Sequence, residues 1–422
     1  MSAPSSTPLF RRFAPRRWPA RLIELLGPTG GAARQSLTAL AFNSTTSFVA
    51  GLTLVGILST LERLPGLLML IPPAIGLRGN VFSAMGNRLS TAVHTGSYAL
   101  SFRRESILAQ NLVASFFLTV FMSVVLAILT KIIAVTVGVA DTIGLADLMT
   151  ISVLGGLMAS IPVALATILL TVGAVRFGWD LDNLVAPTVS TLGDVVTIPA
   201  LWLAALMVTD ASLPSWIAVL LTVMVLAGLV VTLRSSLEQL RVIVIESLPV
   251  LTVALVLSTL GGLVLQKQLD LLAALPTILV LAPAFVSSGG ALGSILNGRV
   301  STNLHLGSVE PTLIPGTQVR RDVSFLMALA APVFLLNATG AVVFNRIGGN
   351  AADPGWWWTL TVTMLAAAVT MCIVMGISYA ATIGAWRLDV DPDSFGIPVI
   401  TASTDFVGTL VLIFVVVALG LS

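Results

Sequence analysis

Charge is what this sequence has least of. Only 9% of its 422 residues are Asp, Glu, Lys or Arg, against 56% hydrophobic. A water-soluble protein could sustain that balance only with an implausibly large core, so the class implied is an all-α polytopic membrane protein. Cysteine is almost absent: the single Cys372 lies in an apolar run, which excludes a disulfide framework and a cysteine metal site. Histidine is limited to His94 and His305, and there is no Ser/His/Asp or His-x-x-x-His set. A membrane-embedded enzyme, the most distant alternative, therefore lacks a nucleophile or ligand cluster. No cofactor and no nucleic-acid partner is expected. A secretory signal is missing too, because Met1 to Gly31 is a Pro-rich and Arg-rich arm without a short apolar core or a small-residue cleavage site. Trp18 to Leu26 could lie in the lipid interface as a short amphipathic helix, or the whole arm could be a cationic tail that fixes orientation.

What is present is a series of apolar windows of membrane-spanning length. Five fall near Leu37 to Thr60, Gly66 to Thr95, Ile107 to Val137, Leu148 to Val175 and Leu184 to Val208. A sixth runs from Trp216 to Leu233. Five more lie near Val242 to Leu265, Leu271 to His305, Val323 to Phe344, Trp356 to Ala381 and Gly396 to Leu421. About eleven spans are expected, with the long second span of each half tilted or broken.

The halves repeat. PPAIGLRGNVFSAMGNRLSTAVHTG, from Pro72, returns from Ala282 as APAFVSSGGALGSILNGRVSTNLHLG with one residue inserted, which aligns Arg88 with Arg299 and His94 with His305. Five spans per half would invert the second half, but the unpaired segment Trp216 to Leu233 carries the chain back. The halves are then parallel, related by a pseudo-two-fold axis along the membrane normal. The division implied is a basic cytosolic arm (1–33), a first repeat (34–209), a linking helix (210–234) and a second repeat (235–422). Arginine agrees with this layout. Fourteen basic residues (Arg11, Arg12, Arg16, Arg17, Arg21, Arg34, Arg103, Arg104, Arg176, Arg234, Arg241, Arg320, Arg321 and Arg387) fall inside, against four outside (Arg63, Lys131, Lys267 and Arg346). This positive-inside bias predicts a cytoplasmic N-terminus and an outside C-terminus. The expected location is the plasma membrane, or the inner membrane of a bacterium.

Two spans carry a carboxylate at the same place. PTVSTLGD ends at Asp194 and PVITASTD at Asp405, each seven residues after a proline. For a helix entering the membrane near Leu184, Asp194 lies about ten residues in, or roughly 15 Å deep at ~1.5 Å per residue. A charge there costs about 2.5–3.5 kcal/mol even on lenient scales, so it should face a wet cavity or a partner. The natural partner of two such carboxylates is a cation.

These residues resemble a known family. A Gly-Asn-containing second span paired with Asp180, Asp182, Asn183, Pro187, Gly193 and Asp194 is similar to the MgtE and solute carrier 41 family of magnesium channels and transporters. The second copy keeps Asp391, Asp393, Pro398 and Asp405, with Ser394 and Thr404 in place of the asparagine and glycine. The resemblance covers the chain from about Arg34 to its end and implies the fused two-repeat form. It also implies a pore at the repeat interface and Mg²⁺, or another divalent cation, as transported substrate. The short arm leaves no room for the cytosolic sensor and CBS domains of single-repeat members. Na⁺-coupled magnesium exchange or export is the alternative within transport.

Further candidates follow from position. Asp194 and Asp405 are the expected metal ligands, since magnesium is commonly held by one or two carboxylates with waters retained. Ser190 and Thr401, one turn earlier, share their face. The pairs Gly79-Asn80 and Gly289-Gly290 permit close helix approach or exposed carbonyls, and Asn87 and Asn297 are read as pore-lining or as interhelical hydrogen-bonding groups. Asp180, Asp182, Asp389, Asp391 and Asp393 gather at the cytosolic mouth, where Asp182 or Asp393 could equally cap a helix. Arg88, Arg299, His94 and His305 read as interfacial anchors, and Glu246 as a lone interfacial carboxylate. Two fused repeats could complete one pore in a monomer, with a homo-oligomer as the other arrangement.

Overall fold

A computed structural model describes residues 30–139, 142–177, 181–209, 216–235, 237–349 and 354–420. Residues 1–29 of the basic arm, Asp180 and the C-terminal Ser422 lie outside the described residues, and Asp182 is described in its backbone alone. Within them the chain forms thirteen helices. The first half contains α1 (Gly30–Gly56), the short α2 (Leu58–Arg63), α3 (Leu67–His94), α4 (Ile107–Thr136), α5 (Leu145–Phe177) and α6 (Leu181–Thr209). After α7 (Trp216–Leu233) the second half repeats the pattern as α8 (Glu238–Lys267), the short α9 (Leu269–Ala274), α10 (Pro276–His305), α11 (Thr317–Ile347), α12 (Trp356–Arg387) and α13 (Pro392–Ala418).

Ten of these helices are long and apolar enough to cross a membrane, and α7 is a shorter apolar helix. Its 18 residues reach about 27 Å at ~1.5 Å each, just under a hydrocarbon core of roughly 30 Å. Ten helices of full spanning length, rather than eleven, therefore stand among the described residues. The expected span Leu271 to His305 is divided between α9 and α10. Leu275 sits at the break, and Pro276, which has no N–H to leave unpaired, opens α10. In the first half the corresponding break, between α2 and α3, falls at Gly66 (φ 101°), so the expected span Gly66 to Thr95 is the single helix α3.

Local signals set the helix ends. The Ser106 hydroxyl accepts from Ala109 N at 3.2 Å and starts α4. At the other end of the preceding helix, α3 stops at Gly96 (φ 70°), and α10 stops in the same manner at Gly307 (φ 68°). Both adopt the left-handed conformation that closes a helix C-terminus and that only glycine enters without strain.

The halves exchange their first helices. On α1, a side chain at Gly51 would begin 2.5 Å from the Val280 carbonyl oxygen of α10. On α8, Gly262 stands 2.5 Å by the same measure from the Met69 carbonyl oxygen of α3. Each crossing thus brings two backbones into contact, which only glycine permits. Across the first crossing Asn43 Nδ2 donates to Ser287 Oγ at 2.8 Å and Ser44 hydrogen-bonds Ser288 at 3.1 Å. The packing places α6 and α13, with their carboxylates, around a shared interior.

Candidate cation site

A cavity of about 1220 Å³ runs between the halves. Asp194 and Asp405 both line it, with Ser190, Thr401, Gly79, Asn80 and Asn87. Towards one end stand Asp389, Asp391, Asp393, Arg88 and Glu246, and the wall also includes Leu54, Leu68 and Leu265. Asp194 is 8% exposed, and it opens with Asp405 onto the same cavity.

Each carboxylate receives a hydroxyl from the first long helix of its own half. Ser47 Oγ on α1 donates to Asp194 Oδ2 at 3.4 Å, and Ser258 on α8 donates to Asp405 Oδ2. Both pairs are separated by 147 residues. Sequence reasoning missed these serines. The available signal was that Ser47 and Ser258 are as far apart as the two aspartates, but serine is common and nothing local marks either one. Hydroxyl donors orient a carboxylate while leaving it its charge and further lone pairs. Among the described residues no three His, Cys, Asp or Glu come together as a metal cluster. A cation held here would be bound by few carboxylates and by its own water.

Other candidates sit differently from one another. Gly289 is buried, where an added Cβ would lie 2.9 Å from Thr404 Cγ2. The helices α3 and α10 run unbroken through Gly79-Asn80 and Gly289-Gly290, so no unwound carbonyl faces the cavity at those positions; the tight contact is at Gly289, whereas a Cβ at Gly79 would stand 3.8 Å from Ser190 Oγ. Asn297 is fully buried. Its Nδ2 donates to Asp393 Oδ1 at 2.9 Å and its Oδ1 accepts from Thr382 Oγ1 at 2.7 Å. Its repeat mate Asn87 faces the cavity, so matching positions carry different duties in the two halves. Thr401 lines the cavity while its hydroxyl donates back to the carbonyls of Ile397 and Pro398 at 3.0 and 3.1 Å.

At the mouth, Asp391 is the helix cap. Its carboxylate accepts from Ser394 N at 3.0 Å and Ser394 Oγ at 2.6 Å. Asp393 instead accepts from Asn297 and, at 3.2 Å, from Ser301 Oγ. Capping therefore falls two residues earlier than the sequence suggested. The two arginines diverge as well. Arg299 pairs with Asp322 at 2.9 Å, the only ion pair among the described residues. Arg88 has Asn111 where its mate has Asp322 in the repeat. Both Arg88 and Glu246 stand on the wall of the cavity.

A family model described as "MgtE: Divalent cation transporter" matches residues 71–204 and again residues 282–415, together more than half of the chain. Mouse solute carrier family 41 member 3 is 26% identical over 368 residues, covering 82% of this chain and 74% of the relative. Solute carrier family 41 member 2 of Xenopus laevis is 26% identical over 374 residues, covering 83% and 65%. No solved structure matches at a significant level. The two matched segments contain α6 and α13 up to and beyond Asp194 and Asp405, the helices that frame the cavity. The chain belongs to the MgtE family of divalent cation transporters.

Proposed function

We propose that this chain carries Mg²⁺ across the plasma membrane through the cavity between its halves, with Asp194 and Asp405 as the cation site. The observation that carries the reading is the pair of carboxylates on one cavity, each oriented by a serine at the same spacing. Magnesium dehydrates reluctantly and keeps several waters beside one or two carboxylates. A roomy cavity with two anionic groups suits that preference better than a dry, closed cage. The arginine distribution supports a cytoplasmic N-terminus.

The test is flux in reconstituted liposomes, with Mg²⁺ supplied on one side and Na⁺ varied on the other. Uptake that saturates with Mg²⁺ and is indifferent to Na⁺ is the expected result. Absence of divalent flux in sealed vesicles would remove the proposal, and dependence on an opposing Na⁺ gradient would convert it into coupled exchange.

Ser47→Ala and Ser258→Ala extend the test. A hydrogen bond to a charged group contributes about 1.5–3 kcal/mol, part of which water replaces in a wet cavity. Each variant should weaken apparent Mg²⁺ affinity about tenfold while leaving the maximal rate within a factor of about two. Unchanged half-saturation in both would show that the serines do not orient the carboxylates.

A further inference from the structure

Arg78 is fully buried in the membrane-spanning helix α3. Its Nη1 donates to the Ala74 carbonyl one turn back, while Nε and Nη2 have no acceptor. No carboxylate pairs with it among the described residues. The guanidinium points at α4 and α5: a Cβ built at Gly156 would lie 2.5 Å from Nη2 and 2.8 Å from Ser123 Oγ. An intramembrane cation with orphaned donors is costly to keep, and such residues mark function by default. A second resting place that satisfies the donors is therefore expected.

Asp194 offers one. The stem of Arg78 starts against Gly193, the residue before Asp194: a Cβ at 193 would lie 3.8 Å from Arg78 Cβ and 3.8 Å from Gly79 N. No side chain at 193 stands in the way. The second half lacks both features together. In the repeat Ser288 stands for Arg78 and Thr404 for Gly193. There Ser288 is engaged by Ser44 and by Asn337 Nδ2 at 2.9 Å. Arginine and its clear path are thus a matched pair, confined to the half that holds Asp194.

We propose that Arg78 is a tethered counter-cation, which swings past Gly193 onto Asp194 when the transported cation has left and so lets the empty protein reset. The inference rests on the reading that Asp194 and Asp405 hold the transported dication. In the conformation described, the guanidinium is withdrawn and both carboxylates are free to face a cation. After release, two carboxylates would remain in a low-dielectric interior. A guanidinium fork bonded to Asp194 would replace the lost charge on one of them. Arg78 is a positioning residue of the cycle and does not touch the cargo.

Net transport needs the empty protein to reset, whereas exchange of one cation for another does not. Full-length protein in liposomes should therefore be assayed in two ways with isotopic ²⁵Mg²⁺: net uptake into Mg²⁺-free vesicles, and exchange into Mg²⁺-loaded vesicles. For Arg78→Gln, net uptake should fall about tenfold or more while exchange stays within about twofold of wild type, and Arg78→Lys should restore part of the net uptake. Retained exchange also proves that the variant is folded. If Arg78→Gln cannot be purified folded, Gly193→Val should give the same split with Arg78 intact, since a Cβ fits at 193 and the added methyls occupy the path. Net uptake and exchange falling in parallel, or neither falling, would overturn the inference. Failure of the underlying reading looks different: wild-type protein would move no Mg²⁺, or Asp194→Asn would leave both assays unchanged.

Discussion

Asp194→Asn and Asp405→Asn should each lower Mg²⁺ flux and binding by about two orders of magnitude, while membrane insertion and yield stay near wild type. Asparagine keeps the size and one oxygen of the carboxylate, so a loss on this scale reports charge. A unit charge about 4 Å from a cation at an effective dielectric of ~20 is worth about 4 kcal/mol per cation charge. Retained water and cavity solvent offset part of that, and about 3 kcal/mol corresponds to roughly a hundredfold. Insertion should not suffer, because the change removes a buried charge and leaves the packing alone. Protons should mimic the substitution. A dication needs ionised carboxylates, whereas protonation cancels the charge that holds it. Uptake at subsaturating Mg²⁺ should therefore fall as pH falls and recover with more Mg²⁺, which flux at several pH values would measure. Wild-type binding and flux in both variants would refute a shared site, and loss in only one would mean that a single half carries the cation.

Gly51→Ala and Gly262→Ala should be the most damaging small substitutions away from the carboxylates. In each case a methyl group is placed 2.5 Å from a carbonyl oxygen of a crossing helix. Backbone on both sides of the contact leaves no flexible side chain to move aside, so the two helices must separate. Overpacking of this type costs about 1–3 kcal/mol per site. The separation would also disturb the hydrogen bonds of Asn43 and Ser44 that span the first crossing. Thermal inactivation of the purified protein should shift down by several degrees for each variant and more for the double. Gly376→Ala in α12 is the control, since nothing lies within 4 Å of its added Cβ. That substitution should be neutral or stabilising by up to about 1 kcal/mol through helix propensity. Wild-type stability of both crossing variants would show that the helices can part at no cost.

Much of the architecture was legible because hydropathy is a local signal. Runs such as Ile107 to Val137 announce a span without reference to any other residue, and the echo of Pro72 to Gly96 announces a second half. The matched places of Asp194 and Asp405 in the repeat were legible for the same reason. Partnership across the bundle was not. That Ser47 meets Asp194, or that Asn43 meets Ser287 in the other half, depends on how helices distant in sequence cross. Single-residue differences between the halves were equally silent: Arg88 and Arg299 align, yet Asp322 draws only Arg299 into a pair. Arg78 was visible in the repeated motif, but its burial without a partner emerges only when α4 and α5 close over it. The length of the span from Leu271 already suggested tilt or a break, but the position of the break before Pro276 was not marked by any change in hydropathy.

The exchange of α1 and α8 has a consequence for how the protein is made. The partner of Ser44 is Ser288, so α1 leaves the ribosome well over two hundred residues before the helix it must pack against. At a synthesis rate of about 5–20 residues per second, that interval is roughly 10–50 s. Throughout it, the polar groups of Asn43 and Ser44 sit in lipid or against a temporary neighbour, whereas Ser47 can already meet Asp194 of its own half. At that stage the first half still lacks the partners of Asn43 and Ser44. Its interior becomes complete only when α10 arrives, so assembly is governed by the last-made half, and a chain stalled after α7 is left with an unfilled seam for quality control to recognise.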